Sequence, residues 1–183
     1  MFHLKVVAAS IAAAFVLGGA ASAATLNGST VSGAYYFPDA GSVYGNSITL
    51  PGTFIIGAGI ESVIDVETVT QIAVDFSARS LLLNFTTSLI NPIWNSFAQN
   101  GPIFTILSGN GFGRVTSVSV SSGGSVTADV SGGKLTVNLA GLRYETGDTI
   151  QINLAPVPLP AAMPLMLIGI AGFGTLARRK RLA

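Results

Sequence analysis

Residues 72–85 read IAVDFSARSLLLNF, and this stretch decides the fold class. Large apolar side chains occupy every second position on both sides of residues 77–79, a short Ser-Ala-Arg segment that interrupts the pattern. Such alternation places one set of side chains on one face of an extended strand, whereas a helix repeats every three to four residues. The alternating apolar residues are Ile72, Val74, Phe76, Leu81, Leu83 and Phe85. The stretch therefore predicts two strands, each with an inner and an outer face.

The same period of two recurs further along the chain, near residues 118–120, 135–139 and 150–154. Gly132-Gly133 separates two such runs and predicts a two-residue hairpin turn. Residues 89–100 contain Pro92 and predict a long loop with at most one helical turn. With nine or ten strand candidates between residues 24 and 155, we expect an all-β domain. The expected fold is an antiparallel β-sandwich, with a jelly roll as the main variant.

The N-terminal segment, residues 1–23, is typical of a secretory signal peptide. His3 and Lys5 precede an apolar run at residues 6–17, which is too short for a membrane span of about 20 residues. Ala21 and Ala23 supply small side chains at the two positions next to a signal-peptidase cleavage site. We expect a signal helix that signal peptidase removes, with Ala24 as the first residue of the mature protein.

The C-terminal segment, residues 156–183, has three parts in order. An extended proline-spaced motif comes first, because each proline fixes its own φ and disfavours helix in the preceding residue. An apolar run at residues 161–177 follows and predicts a short transmembrane helix of roughly 25 Å. A basic cluster closes the chain and is expected on the cytoplasmic side of the inner membrane. The motif is Val157, Pro158, Leu159, Pro160 and Ala161, and the cluster is Arg178, Arg179, Lys180 and Arg181.

These three parts together resemble the VPLPA-CTERM sorting signal, a relative of the PEP-CTERM signals of Gram-negative bacteria. The resemblance covers residues 157–183. It implies recognition by an exosortase-type membrane enzyme, cleavage near residues 157–161, and delivery to the cell surface or the extracellular matrix. It further implies a membrane-tethered precursor and an association of such cargo with exopolysaccharide. An ordinary C-terminal membrane anchor remains the alternative interpretation.

The composition excludes several classes of chemistry. Only 9% of the residues are charged, against about 25% in an average soluble domain. Residues 24–155 contain four basic and eight acidic side chains, a net charge of −4, which excludes a basic nucleic-acid-binding surface. The chain has no cysteine, and its one histidine, His3, lies in the predicted signal peptide. The mature protein therefore lacks the residues for a Ser-His-Asp triad, a histidine metal site or thiol chemistry, and we predict no cofactor.

Two groups of residues remain as candidates for binding or catalysis. Asp65 and Glu67 lie two positions apart and would share one face of a strand, where they could bind calcium or act as paired carboxylates. Trp94 and Phe97 lie in the long irregular segment and could contact a sugar ring. Tyr35, Tyr36 and Tyr44 could complete such an aromatic platform. Both groups also have a purely structural interpretation. Asp65 and Glu67 would lie on a solvated strand edge or loop, and Trp94 would pack in the core or against a loop.

The sequence thus leads to three functional hypotheses. The first is a non-enzymatic, exported surface protein that acts structurally or by interaction. The second is a carbohydrate-binding module for exopolysaccharide. The third is a hydrolase that uses only carboxylates.

Overall fold

A computed structural model describes residues 24–155 and 157, and within that part the chain forms eleven strands and no helix. One antiparallel sheet has five strands, in the order β3 (Thr53–Ile55), β1 (Thr30–Tyr36), β7 (Gly101–Ser108), β10 (Lys134–Asn138) and β9 (Thr127–Ser131). The other has six, in the order β2 (Ser47–Leu50), β4 (Ser62–Val66), β5 (Thr70–Phe76), β6 (Ser80–Thr87), β11 (Thr149–Leu154) and β8 (Val115–Val120). The predicted all-β sandwich of two packed antiparallel sheets is confirmed.

The alternating apolar residues form the core between the two sheets. In β5 and β6 every large side chain of the predicted inner face is buried, and the intervening Ala73, Asp75 and Asn84 are more exposed. Phe76 of the six-stranded sheet meets Phe104 of the five-stranded sheet edge to face, with ring centroids 5.1 Å apart. Burying large apolar side chains on both inner faces is what holds two sheets of this kind together.

A glycine in β1 makes room for this contact. A Cβ atom at Gly33 would lie 2.9 Å from Cδ1 of Phe104, so only a glycine lets the phenyl ring rest against the backbone of β1. The predicted hairpin at Gly132-Gly133 is also confirmed. Both glycines have positive φ, of 56° and 76°, and they join β9 to β10 as the two-residue turn requires.

The structure corrects the prediction for Asp65 and Glu67. β4 ends at Val66, and Glu67 belongs to the turn at residues 67–69, with a left-handed φ of 56°. Because the backbone turns there, Asp65 and Glu67 do not share one face of a strand. Residues 142–144 form no regular strand, and an isolated bridge joins Arg143 to Ile93 there.

The two ends of the sandwich differ in what they carry. Ala24 pairs with Val157, and the Leu26 amide donates to the carbonyl of Ala78, in the turn between β5 and β6. We call this the terminal end. The turn at residues 67–69 lies at the other end of β5, which we call the distal end. Seven residues of β5 separate the two, a distance of about 20 Å.

The two predicted export segments fall almost wholly outside the described residues. The signal peptide at residues 1–23 and the transmembrane run at residues 161–177 both lie outside them. Among residues 24–155 and 157, no helix has the length and apolar character needed to cross a membrane.

Candidate functional site

A pocket of about 150 Å³ opens at the distal end of the sandwich, and five of the fourteen residues that line it are aromatic. The five aromatic residues of its lining are Tyr35, Phe37, Tyr44, Trp94 and Tyr144. We call it the aromatic pocket. Concave, largely apolar sites with a few polar groups are the usual form of small-molecule binding sites.

Two segments far apart in the sequence build the floor of the pocket. The Trp94 amide donates to the carbonyl of Leu142 at 2.9 Å, and the Gly141 amide donates back to the carbonyl of Trp94 at 2.8 Å. These bonds place the indole of Trp94 parallel to the ring of Tyr144, with centroids 4.9 Å apart and planes inclined by 11°. Tyr35 contacts the indole with a centroid distance of 5.6 Å. The floor is therefore a rigid aromatic cluster.

The walls come from the loop that follows β1. The Tyr44 amide donates to the carbonyl of Tyr35 at 2.9 Å, which folds the loop back on the strand. The rings of Phe37 and Tyr44 then meet edge to face, 5.4 Å apart and inclined by 70°. Tyr35 and Tyr44 are inclined by 54°. The rings thus enclose the pocket from different directions instead of forming one flat surface.

The predicted pair of sugar-contacting residues is divided between two environments. Trp94 lines the pocket but is only 8% exposed, so the indole offers little of its face to a ligand. Its Nε1 is buried and has no hydrogen-bond partner among the residues that the structure describes. Phe97 is half exposed and packs against Phe37 with centroids 4.7 Å apart, outside the pocket lining. The structure therefore does not bring Trp94 and Phe97 together as one platform.

The polar groups of the lining are tied to one another by hydrogen bonds. The hydroxyl of Tyr35 donates to Oδ1 of Asn100 at 2.7 Å, and Tyr144 shares a hydrogen bond of 2.8 Å with Thr70. The hydroxyl of Tyr44 donates to the carboxylate of Glu67. These contacts fix the phenol rings at the positions that shape the pocket.

All three phenols of the pocket resist ionisation. Burial raises the pKa of Tyr35 and of Tyr144, because the apolar surroundings disfavour a phenolate. The hydrogen bond to Glu67 raises the pKa of Tyr44, since a phenolate could not donate it. The tyrosines are therefore neutral at physiological pH. The lining contains no lysine or arginine, which leaves the Glu67 carboxylate as its one charged group.

The carboxylates found in the sequence serve local structure. Asp65 accepts the amide of Thr68 at 2.8 Å, and Asp148 accepts the amide of Glu145 at 2.7 Å. Among the described residues no group of three or more aspartate, glutamate or histidine side chains lies together as a metal site. The aromatic pocket holds one carboxylate, whereas glycoside hydrolysis by the common mechanism uses two.

Sequence reasoning identified some of these residues and missed others. Of the aromatic residues predicted to contact a sugar, Tyr35, Tyr44 and Trp94 line the pocket, whereas Tyr36 and Phe97 do not. The sequence does not mark Phe37 or Tyr144, because no local pattern places either residue at the pocket.

The predicted processing residues lie mostly outside the described part. Ala24 and Val157 are described and pair at the terminal end, where the Ala24 amide is 3.4 Å from the Val157 carbonyl oxygen. The remaining predicted residues are outside it: Ala21, Ala23, Pro158, Leu159, Pro160, Ala161, Arg178, Arg179, Lys180 and Arg181.

Comparison with known proteins gives no match: no protein-family model fits the chain, and the searches of curated proteins and of solved structures find nothing similar.

Proposed function

We propose that this protein is an exported, non-enzymatic surface protein that acts by binding a partner in its aromatic pocket. The observation that carries the proposal is the placement of the pocket at the distal end, about 20 Å from the end where Ala24 and Val157 meet. A domain attached to the membrane or cell surface through the terminal end would direct such a pocket outward. The body would be the cargo, and the two terminal segments would deliver it.

Delivery would depend on the two terminal segments. In this proposal residues 1–23 form a signal helix that signal peptidase removes, and residues 161–177 form a transmembrane helix stopped by the basic cluster. An exosortase-type enzyme would then cut near residues 157–161 and release or attach the body at the cell surface. The proposal is supported by the order of the three C-terminal parts and by the position of the half-buried Val157 at the boundary of the folded body, where it pairs with Ala24.

The experiment is mass spectrometry of the protein recovered from the surface fraction of cells with and without the sorting enzyme. We expect an N-terminus at Ala24 and loss of residues 178–181 only where the enzyme is present. A Pro158→Ala, Pro160→Ala double variant should retain the basic end and accumulate in the membrane fraction. Surface protein that keeps an intact RRKR end in enzyme-containing cells would contradict the sorting mechanism.

Carbohydrate binding is the second candidate function. It is favoured by the buried Nε1 of Trp94, because a donor without a partner suits a ligand oxygen such as a sugar hydroxyl. A pull-down with exopolysaccharide tests it, comparing the unchanged protein with Trp94→Phe, which keeps an aromatic ring and lacks the donor. Binding that is equal for the two proteins would remove this candidate.

A further inference from the structure

We propose that the aromatic pocket selects an organic cation, namely a ligand with an ammonium or quaternary ammonium group. This inference rests on the proposed function, in that it takes the pocket to be the binding site, and it adds the chemical class of the ligand. Three features of the pocket lead to it: the arrangement of its rings, its charge and its rim.

Two aromatic rings are accessible in the pocket. Phe37 and Tyr44 are partly exposed and stand at a steep angle of 70° to one another beside a volume of about 150 Å³, with the buried rings of Tyr35, Trp94 and Tyr144 packed behind them. The face of an aromatic ring is electron-rich, so a cation held between Phe37 and Tyr44 gains cation–π attraction from both. A sugar ring, in contrast, needs a flat exposed face, and the indole of Trp94 is covered by Tyr144 on one side and by Tyr35 nearby.

The charge of the pocket favours a positive ligand. Glu67 is exposed at the edge of the lining, and its one hydrogen bond within the pocket comes from the neutral hydroxyl of Tyr44. No basic side chain of the lining neutralises it. A cationic ligand is attracted to the negative charge of this carboxylate, so its binding is favoured. A phosphate or carboxylate ligand would be repelled.

The rim adds apolar surface next to the charge. Leu89 and Ile93 belong to the pocket lining and are 46% and 51% exposed, and Pro92 lies between them. Methyl groups of a quaternary ammonium can contact such a rim while the positive centre faces the rings. A strongly hydrated inorganic cation gains nothing from these side chains. The rim therefore favours an alkylated ammonium group.

Trp94 provides a direct readout, because it is the one tryptophan of the chain and lies in the pocket. The full-length protein, purified in a non-ionic detergent, is titrated with choline, with its uncharged isostere 3,3-dimethyl-1-butanol and with glucose. We expect a saturable change of Trp94 fluorescence with choline. Its affinity should exceed that of the uncharged isostere by about tenfold, because only the charged ligand gains cation–π attraction. Glucose should give no saturable change.

Two variants and one control separate the contributions. Glu67→Gln keeps the size of the side chain and should weaken choline binding by about fivefold. Phe37→Leu removes one aromatic ring from the pocket and should also weaken choline binding. Asp65→Asn is the matched control, because Asp65 is the neighbouring acid and does not line the aromatic pocket, and its affinity should be unchanged.

Several outcomes would overturn the inference. They are equal affinity for choline and the uncharged isostere, unchanged choline binding by Glu67→Gln, saturable binding of glucose in place of choline, or no saturable response to any probe. None of them bears on export, which is read from the processed termini in cells. Failure of the cation inference is thus distinguishable from failure of the proposed export, and saturable binding of glucose would refute the cation while leaving the pocket as a binding site.

Discussion

The ring of Tyr144 lies parallel to the indole of Trp94, with centroids 4.9 Å apart and an angle of 11° between the planes. The two residues are 50 positions apart in the chain. Their stack joins the irregular segment at residues 88–100 to the segment that precedes β11. The floor of the pocket and the packing of the distal end therefore depend on the same pair of rings.

Replacement of Tyr144 should separate the contribution of its ring from that of its hydroxyl. Tyr144→Leu removes the stack and leaves a cavity, so we expect a loss of about 3 kcal/mol of unfolding free energy. Tyr144→Phe should cost only about 1 kcal/mol, because Thr70 keeps its hydrogen bond to Thr87 at 3.0 Å. Urea unfolding followed by Trp94 fluorescence measures both. Equal losses for the two variants would contradict a role for the ring.

Alkaline pH should destabilise the fold through Tyr35. Burial raises the pKa of Tyr35 well above the ordinary value of about 10 that applies to the unfolded chain. Below pH 10 the Tyr35 hydroxyl keeps its proton in both the folded and the unfolded state, so this residue adds no pH dependence to the unfolding free energy. Above pH 10 the unfolded chain loses the proton and the folded chain keeps it, so the unfolding free energy falls as pH rises.

Urea unfolding at pH 9 and pH 11 tests this dependence. The loss of unfolding free energy between the two pH values should be smaller in Tyr35→Phe, because phenylalanine has no hydroxyl proton to release at this position. Tyr36→Phe is the control, since Tyr36 is the next residue of β1 and is partly exposed, and it should show the loss of the unchanged protein. An identical loss in all three proteins would rule out Tyr35 as the cause.

A single methyl group at Gly113 should disturb the terminal end. A Cβ atom there would lie 1.8 Å from the carbonyl oxygen of Ala155, so the backbone must move. We expect Gly113→Ala to cost about 2–3 kcal/mol. Gly111→Ala is the matched control, because a Cβ atom there meets nothing within 4 Å. Thermal unfolding of the two variants compares them, and a similar midpoint for both would refute the close approach.

The turn at residues 67–69 stores backbone strain that glycine should relieve. Thr68 is β-branched and has a left-handed φ of 59°, a conformation that costs a side-chain-bearing residue about 1–2 kcal/mol. Thr68→Gly should therefore stabilise the protein by about 0.5–1 kcal/mol, after the greater chain entropy of glycine is subtracted. Thr86→Gly, in the extended strand β6, should instead destabilise it. A loss of unfolding free energy in Thr68→Gly would contradict the strain.

Local patterns in the sequence are sufficient for several of the strands and insufficient for the site. The alternation at residues 72–85 predicts β5 and β6 because the period of a strand is a property of consecutive residues. The hairpin at Gly132-Gly133 is equally local. The pocket, in contrast, depends on the pairing of Trp94 with Leu142, a contact across 48 positions that no short pattern marks. The prediction for Glu67 was wrong because spacing alone does not reveal a left-handed φ.

The strand order has the same long-range origin. β6 lies beside β11 although about 60 residues separate them, and three strands of the other sheet intervene in the sequence. The alternation gives both strands an inner face but does not say which strand stands next to which. The packing of complementary inner faces makes that choice.

The pairing of Ala24 with Val157 also bears on the timing of maturation. A chain whose two ends leave the fold at one point can be held by both extremities without being stretched between them. Under the proposed export route, the body would therefore be able to complete its folding while the leader and the tail are both still embedded. Either proposed cleavage would then be free to come first, without an opening of the sandwich.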